Sequence, residues 1–441
     1  MIACTAKALV ALVVAGTVLV FAPRPVLAEV PTDSVETIGI NITALAGGAQ
    51  GAQLVDLKPF SMVALSWTGD ATPPTSAAFA DRGTWTGHDD LEAESLGPDA
   101  ATSEAAGSAP GPAQRHWTTQ PVWVGRADGI LVTTPPGMAG LEVHLIRETT
   151  ELKPAVAIDT ASSHSAGGSP PIHSRAEWDA AAPVSAPEYA PAVRYAVVHH
   201  TVNSNDYSEG DVPSMLRGIQ AYHQQTNGWN DIGYNFLVDK FGRIWEARGG
   251  GYDRAVIGAH AGGFNTGSVG IAVLGRFDTA APSDAAVDAV GSLVGWKLAK
   301  DGADPLGSVT VTVGQTDTVT RYPIGSTVTL PTVVGHGDLD ATACPGSYLY
   351  ERLGDVRQLA GSRYPNQIGR IESAVQAPSR IDVAGWAFDR SSQQSIYVDL
   401  YLDGAWVVSA PAYYDRPDVA GAFPDAGRYH GFYASLPLRA P

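Results

Sequence analysis

The apolar positions of this chain fall into three differently patterned regions. From residue 29 to about 150 they alternate or come in short runs, as in Phe60-Ser61-Met62-Val63-Ala64-Leu65-Ser66-Trp67, Val122-Trp123-Val124 and Leu141-Glu142-Val143-His144-Leu145. Such patterning predicts strands, and Asp128-Gly129, between Val124 and Ile130-Leu131-Val132, predicts a hairpin turn. The low-complexity stretch from Ala100 to Ala113 predicts a mobile loop. The region reads as a small β-sandwich without chemistry of its own, since His88, His116 and His144 show no ligand spacing.

Residues 151–170 are rich in Ala, Ser, Gly and Pro, the composition of a flexible linker. The period then changes. Tyr195-Ala196-Val197-Val198 is a continuous apolar run and predicts a buried strand, while Val212, Met215, Leu216, Ile219 and Tyr222 recur at helical spacing. Residues 234–239 and 242–246 predict a hairpin, and Ser268 to Leu274 another strand. Ser283 is a candidate cap for a helix whose apolar face carries Val287, Val290, Leu293, Val294 and Leu298. A further helix is expected after Pro345. An α/β domain over residues 171–362, a mixed sheet flanked by helices, packs these parts most simply.

From about 363 the pattern turns β again. Ile381-Asp382-Val383 and the run from Ile396 to Leu402 predict strands, with Asp403-Gly404 as a hairpin turn. An all-β domain is expected over 363–441, its last strand missing if the alternating segment before Pro441 is incomplete. No long-period repeat is found.

Composition adds the compartment. Lys7, an apolar run from Ala8 to Ala22, and Val26-Leu27-Ala28 form a secretory signal peptide over residues 1–28. The run is shorter than the roughly 20 residues of a membrane span; a retained N-terminal anchor is the alternative. The mature protein is therefore expected to be soluble outside the cytoplasm, with no membrane attachment after signal removal. Losing Lys7 and Arg24 takes the formal charge from −17 to −19, which excludes long-range attraction to nucleic acid or anionic lipid. A monomer is expected.

Cysteine usage narrows the chemistry. Cys4 leaves with the signal, so Cys344 stands alone and forms no internal disulfide. It is a buried inert thiol, an intermolecular bridge, or a metal or catalytic thiolate. Its neighbours matter: Cys344 and His336 share the loop Gly335-His336-Gly337-Asp338-Leu339-Asp340-Ala341-Thr342-Ala343-Cys344-Pro345, and His199-His200 ends the buried strand. Imidazole and thiolate are zinc donors, and three protein donors leave a fourth position for water. Spacing alone leaves metal binding and structural roles both open. Neighbours on a strand face opposite ways, so only one of His199 and His200 readily reaches an ion.

Residues 171–360 resemble the peptidoglycan recognition protein and type 2 N-acetylmuramoyl-L-alanine amidase family. The resemblance rests on Ser174-Arg175-Ala176-Glu177-Trp178, Val197-Val198-His199-His200-Thr201, Trp229-Asn230-Asp231-Ile232-Gly233-Tyr234-Asn235-Phe236, Gly258-Ala259-His260-Ala261, Asn265, Ser268-Val269-Gly270-Ile271 and the His336–Pro345 loop. It implies a central sheet with helices on its faces and a cleft holding Zn2+ on His199, His336 and Cys344. It also implies that Tyr234 and Thr342 are catalytic and that His260 and Asn265 line the substrate groove. Tyr234 as core packing and His260 as a structural histidine are the plainer alternatives, and His223 reads as structural. The implied activity is hydrolysis of the amide between N-acetylmuramic acid and L-alanine in peptidoglycan. The other outcome is a recognition protein that binds peptidoglycan without cutting it; binding-only relatives lose the cysteine and the first histidine, and this chain keeps both.

Two departures stand out. Glu246-Ala247-Arg248 is followed by Gly249-Gly250-Gly251 rather than Gly-Trp, so the resemblance assigns no third residue to the stem peptide. The family's Arg after the loop histidine is Gly337 here, which bears on how Asp338 is held. The whole chain resembles secreted amidases of high-GC Gram-positive bacteria, which place a β-domain before the catalytic one. Residues 366–441 resemble a small β-domain of exported wall proteins of those bacteria through Val383-Ala384-Gly385-Trp386-Ala387-Phe388-Asp389, Asp403-Gly404, Arg416-Pro417-Asp418-Val419 and His430-Gly431-Phe432. For residues 363–441 wall attachment and a spacer role are both open.

Overall fold

The structure is a computed structural model that describes residues 29–42, 51–68, 75–91, 93–94, 97–104, 116–133, 139–154, 169–316, 320–363, 367–389, 394–402, 405–423 and 427–437. The expected signal segment, residues 155–168 of the expected linker, residues 105–113 of the expected loop and the Asp403-Gly404 turn lie outside them.

The α/β region is built on a six-stranded sheet with the spatial order 172–173, 244–246, 236–238, 268–273, 195–200, 333–335. Its pairings are parallel except for Phe236–Val238 against Ile244–Glu246, the expected hairpin. The interior strand Tyr195–His200 is buried along its whole length, as a strand covered on both faces must be. Ala196 and Val198 face the helix Asp284–Lys300, where Val290, Leu293, Val294 and Leu298 are fully buried. Ser283 caps that helix by accepting from the Ala286 N–H at 3.1 Å. The helices Ser347–Glu351 and Leu353–Arg363 follow Pro345, and the second packs on the long helix.

Residues 29–154 form two stacked antiparallel sheets around Phe60, Val63, Leu65, Trp67, Ile130 and Val143. The expected hairpin at Asp128-Gly129 is not one. Val122–Ala127 pairs with Phe60–Thr68 in one sheet, and Gly129–Thr133 pairs with the strands 51–54 and 75–81 in the other. Asp128 is the crossing point: its N–H donates to Ala80 O and its carbonyl accepts from Leu57 N. Alternation predicts a strand but does not name its partner.

The two regions share a core. Met62, Ala64, Trp123 and Ile146 of the sandwich pack in one cluster with Val212, Met215, Leu216 and Ile219 of the helix Val212–Ala221. Gly218 on that helix allows the approach, because a Cβ there would lie 2.2 Å from Met62 Sδ. Residues 100–104, expected as part of a mobile loop, are instead anchored on the α/β region, where Ala100 N–H donates to Gln315 O and Arg248 pairs with Glu104.

Residues 367–437 add a four-stranded sheet and the hairpin Tyr397–Leu402/Ala405–Pro411 around Val383, Leu400, Ala410 and Phe432. One short helix, Pro417–Ala422, interrupts the β pattern, with proline in its first turn. No helix among the described residues is long and apolar enough to cross a membrane.

Candidate metal centre

Parallel register brings the two histidines together. Val197 stands beside Val334 and Val198 beside Gly335, so one step further His199 comes level with His336. Both sit where strands end, the usual place for a site in such a sheet. The chain then turns through the short 3-10 helix His336–Asp338, and the Gly337 N–H donates to Cys344 O at 2.7 Å, folding the loop back on itself. Arg321 braces it by donating through Nε to Gly337 O at 2.5 Å and to Asp340 O at 3.1 Å. Asp338, next to the Gly337 departure, accepts from Gly335 N at 2.9 Å and from the Tyr350 hydroxyl at 2.6 Å.

The result is a three-donor cluster. One ligand atom each from His199, His336 and Cys344 lies within 4.8 Å of the others, and all three residues are buried. His199 Nδ1 stands 3.7 Å from Cys344 Sγ. Zinc–nitrogen and zinc–sulfur bonds of roughly 2.05 and 2.3 Å at a tetrahedral angle span about 3.6 Å, so that spacing fits zinc. His336 Nδ1 is buried with no hydrogen-bond partner, a cost unless something else occupies its lone pair. Its Nε2 lies 3.1 Å from Asp340 Oδ2, four residues on. The donors present fit a zinc ion.

Partners outside the cluster turn each donor inward. His199 Nε2 lies 3.1 Å from His260 Nδ1, and His260 Nε2 lies 3.3 Å from Ser268 Oγ, which donates to Asn265 O at 3.0 Å. A chain that ends on a carbonyl, which only accepts, sets the direction of every bond before it. His199 therefore carries its proton on Nε2 and offers Nδ1 to the cluster, a tautomer assigned by the network. Burial pushes His199 and His260 well below the ordinary histidine value, with His336 the next contributor for each; both rings stay neutral, as ligand and relay require. Cys344 Sγ accepts from the His200 N–H at 3.4 Å. His200 faces the opposite side of the strand, where burial pushes it down to about 3.

Tyr234 and Thr342 lie at the same centre. Tyr234 is fully buried with its ring centroid 5.3 Å from that of His199. His223, pushed down to about 3 by burial and then by Arg248, accepts from Gly233 N at 3.1 Å through Nδ1 and so holds the segment before Tyr234. Thr342 Oγ1 accepts from the Cys344 N–H at 3.1 Å. His260 and Asn265, expected along a groove wall, are 0% exposed. His260 stands behind His199, and Asn265 Oδ1 accepts from the backbone N–H groups of His260 and Ala261 at 2.7 and 3.0 Å.

Sequence reasoning missed the parts played by Asp340 and Ser268. The signal for Asp340 was present, an acid four residues after a candidate ligand in a tight turn. Second partners of this kind typically contribute 10–100-fold to metal affinity. His260→Ala is accordingly expected to weaken zinc binding by about that factor, read by competition with a chelator of known affinity; His260→Asn recovers part of the loss if the hydrogen bond to His199 Nε2 is what matters.

Known proteins share this segment. The family described as N-acetylmuramoyl-L-alanine amidase matches residues 189–347. Peptidoglycan-recognition protein SC2 of Drosophila simulans is 32% identical over 182 residues, 41% of this chain and 84% of that protein. An N-acetylmuramoyl-L-alanine amidase of Homo sapiens is 31% identical over 191 residues, 42% of this chain and 28% of that longer protein. Among solved structures, wild-type Drosophila PGRP-LB is 30% identical and aligns over 42% of this chain and 92% of its own, with a TM-score of 0.33.

Proposed function

The chain belongs to the peptidoglycan recognition protein and type 2 amidase family, and from that premise we propose that it is an exported, zinc-dependent N-acetylmuramoyl-L-alanine amidase that severs the stem peptide from the glycan strand. The observation that carries the proposal is the convergence of His199, His336 and Cys344 within 4.8 Å, with His336 Nδ1 buried and unpaired. A purely binding member of the fold has no use for a buried thiol and two inward-turned imidazoles.

An amide is a poor electrophile with a poor leaving group. The chemistry a zinc ion supplies on such a donor set is polarisation of the scissile carbonyl and acidification of the attacking water. The protein's own work is positional. His260 fixes the tautomer of His199, Asp340 holds the ring of His336, and the His200 N–H donates to the sulfur. Tyr234, beside His199, carries the hydroxyl that donates to the oxyanion as the carbonyl carbon becomes tetrahedral. Thr342 supports the backbone of Cys344. The partner is peptidoglycan, met outside the cytoplasm.

Mass analysis of fragments from defined muropeptides tests the bond assignment. The expected products are a stem peptide with a free L-alanine amino group and a glycan with an unsubstituted lactyl group. Retention of the muropeptide without a cut would make the protein a binder, and cleavage within the peptide would make it a different hydrolase.

A further inference from the structure

A hydrolytic centre has to meet a polymer, yet His199, Tyr234, His260 and His336 are 0% exposed and Cys344 is 1% exposed. The sandwich touches the segments that carry these groups. Trp123 donates its backbone N–H to Asn203 Oδ1 at 2.5 Å, and Asn203 in turn donates to Thr201, two residues past His199. Met62 and Ile146 lie in one cluster with Tyr234 and the helix Val212–Ala221.

The segment 97–104 reaches further in. The Asp99 carboxylate accepts from the backbone N–H of Gly263 at 2.8 Å, from that of Thr266 at 3.1 Å and from the Asn265 side chain at 2.9 Å. It thus grips the loop that follows His260. Glu104 accepts from the Asn230 N–H at 2.7 Å and pairs with Arg248, and the two side chains are 8% and 5% exposed. Arg248 also donates to Ile232 O at 3.0 Å, so this pair grips the segment leading to Tyr234.

We propose that the β-sandwich of residues 29–154 is an inhibitory cap over the catalytic cleft, and that wall hydrolysis requires this cap to lift. The proposal rests on the reading of the cleft as an amidase site and adds its regulation. The mixed interface suits a reversible device. The desolvation of a buried ion pair offsets much of its attraction, so Glu104–Arg248 fixes the register of the cap without sealing it. A domain held in this way is a two-state element whose open form is selected by whatever binds the exposed cleft.

Two measurements on the full chain test this. The first is the alkylation rate of Cys344 in metal-free protein, mapped by mass spectrometry. Glu104→Gln leaves the buried Arg248 guanidinium without its counter-charge, Asp99→Asn replaces a carboxylate that accepts from Gly263, Asn265 and Thr266 by an amide with a single acceptor oxygen, and each is expected to raise the rate about tenfold or more. The second uses Met62→Cys with Gly218→Cys, since a Cβ at 218 lies 3.4 Å from Met62 Cγ, within disulfide reach. The oxidised protein is expected to clear wall at background rate and to recover on reduction. Unchanged alkylation in both single variants, or equal clearing by the oxidised and reduced double variant, would overturn the cap. A protein that cuts no wall in any form would sink the amidase reading instead, while the alkylation rates would still decide whether the sandwich closes the cleft.

Discussion

Cys344→Ala is expected to take wall hydrolysis to background. The substitution removes the sulfur donor and leaves two imidazoles, fewer than the three protein ligands a catalytic zinc site keeps. The cavity it opens is small, because only one sulfur atom is lost from a residue at the end of a braced loop, where Gly337 N still donates to the residue-344 carbonyl and Arg321 still holds Gly337 and Asp340. The fold therefore survives and the activity does not. A clearing assay on purified wall, run beside thermal unfolding of the metal-free proteins, separates the two. Clearing that persists in this variant and in the presence of a chelator would remove the metal from the reaction.

Tyr234→Phe probes the other half of the site. The ring keeps its packing against His199 in the shared core, so neither folding nor metal content should change. What is lost is one hydroxyl, and losing a donor to a developing oxyanion costs about 10²–10³ in kcat. The expected result is a kcat lower by that factor with KM nearly unchanged, because the interaction forms only as the carbonyl becomes tetrahedral. A rise confined to KM, with kcat unchanged, would make the phenol a binding group.

The candidate metal site was legible through its motifs. His199 and His200 follow the apolar run 195–198, and His336 and Cys344 share one loop, but spacing left metal binding open and the ligand set came from the family resemblance. What the sequence did not contain was strand order, the fact that sets His199 beside His336. His260 illustrates the limit: its motif placed it at the site, but only the folded chain brings its ring within hydrogen-bond distance of His199 Nε2. The docking of the sandwich was missed for a different reason. Phe60–Thr68 is apolar on both faces, with Phe60, Val63, Leu65 and Trp67 turned to the sandwich core and Met62 and Ala64 turned to the helix Val212–Ala221. A strand buried on both sides in a two-layer sandwich signals a third layer. Asp99 and Glu104 gave no such signal, since an acid in a Ser/Ala/Gly-rich stretch looks solvated until its partners Asn265 and Arg248 are in view.

His199, His336 and Cys344 are expected to share one ion. Cobalt(II) substitution reads this directly, because a thiolate ligand adds a sulfur-to-metal charge-transfer band in the near ultraviolet and a tetrahedral site gives intense visible bands. The expected result is one cobalt per chain with both signatures, and loss of the near-ultraviolet band in Cys344→Ala. Stoichiometric cobalt without the sulfur band, or no specific uptake at all, would contradict the account.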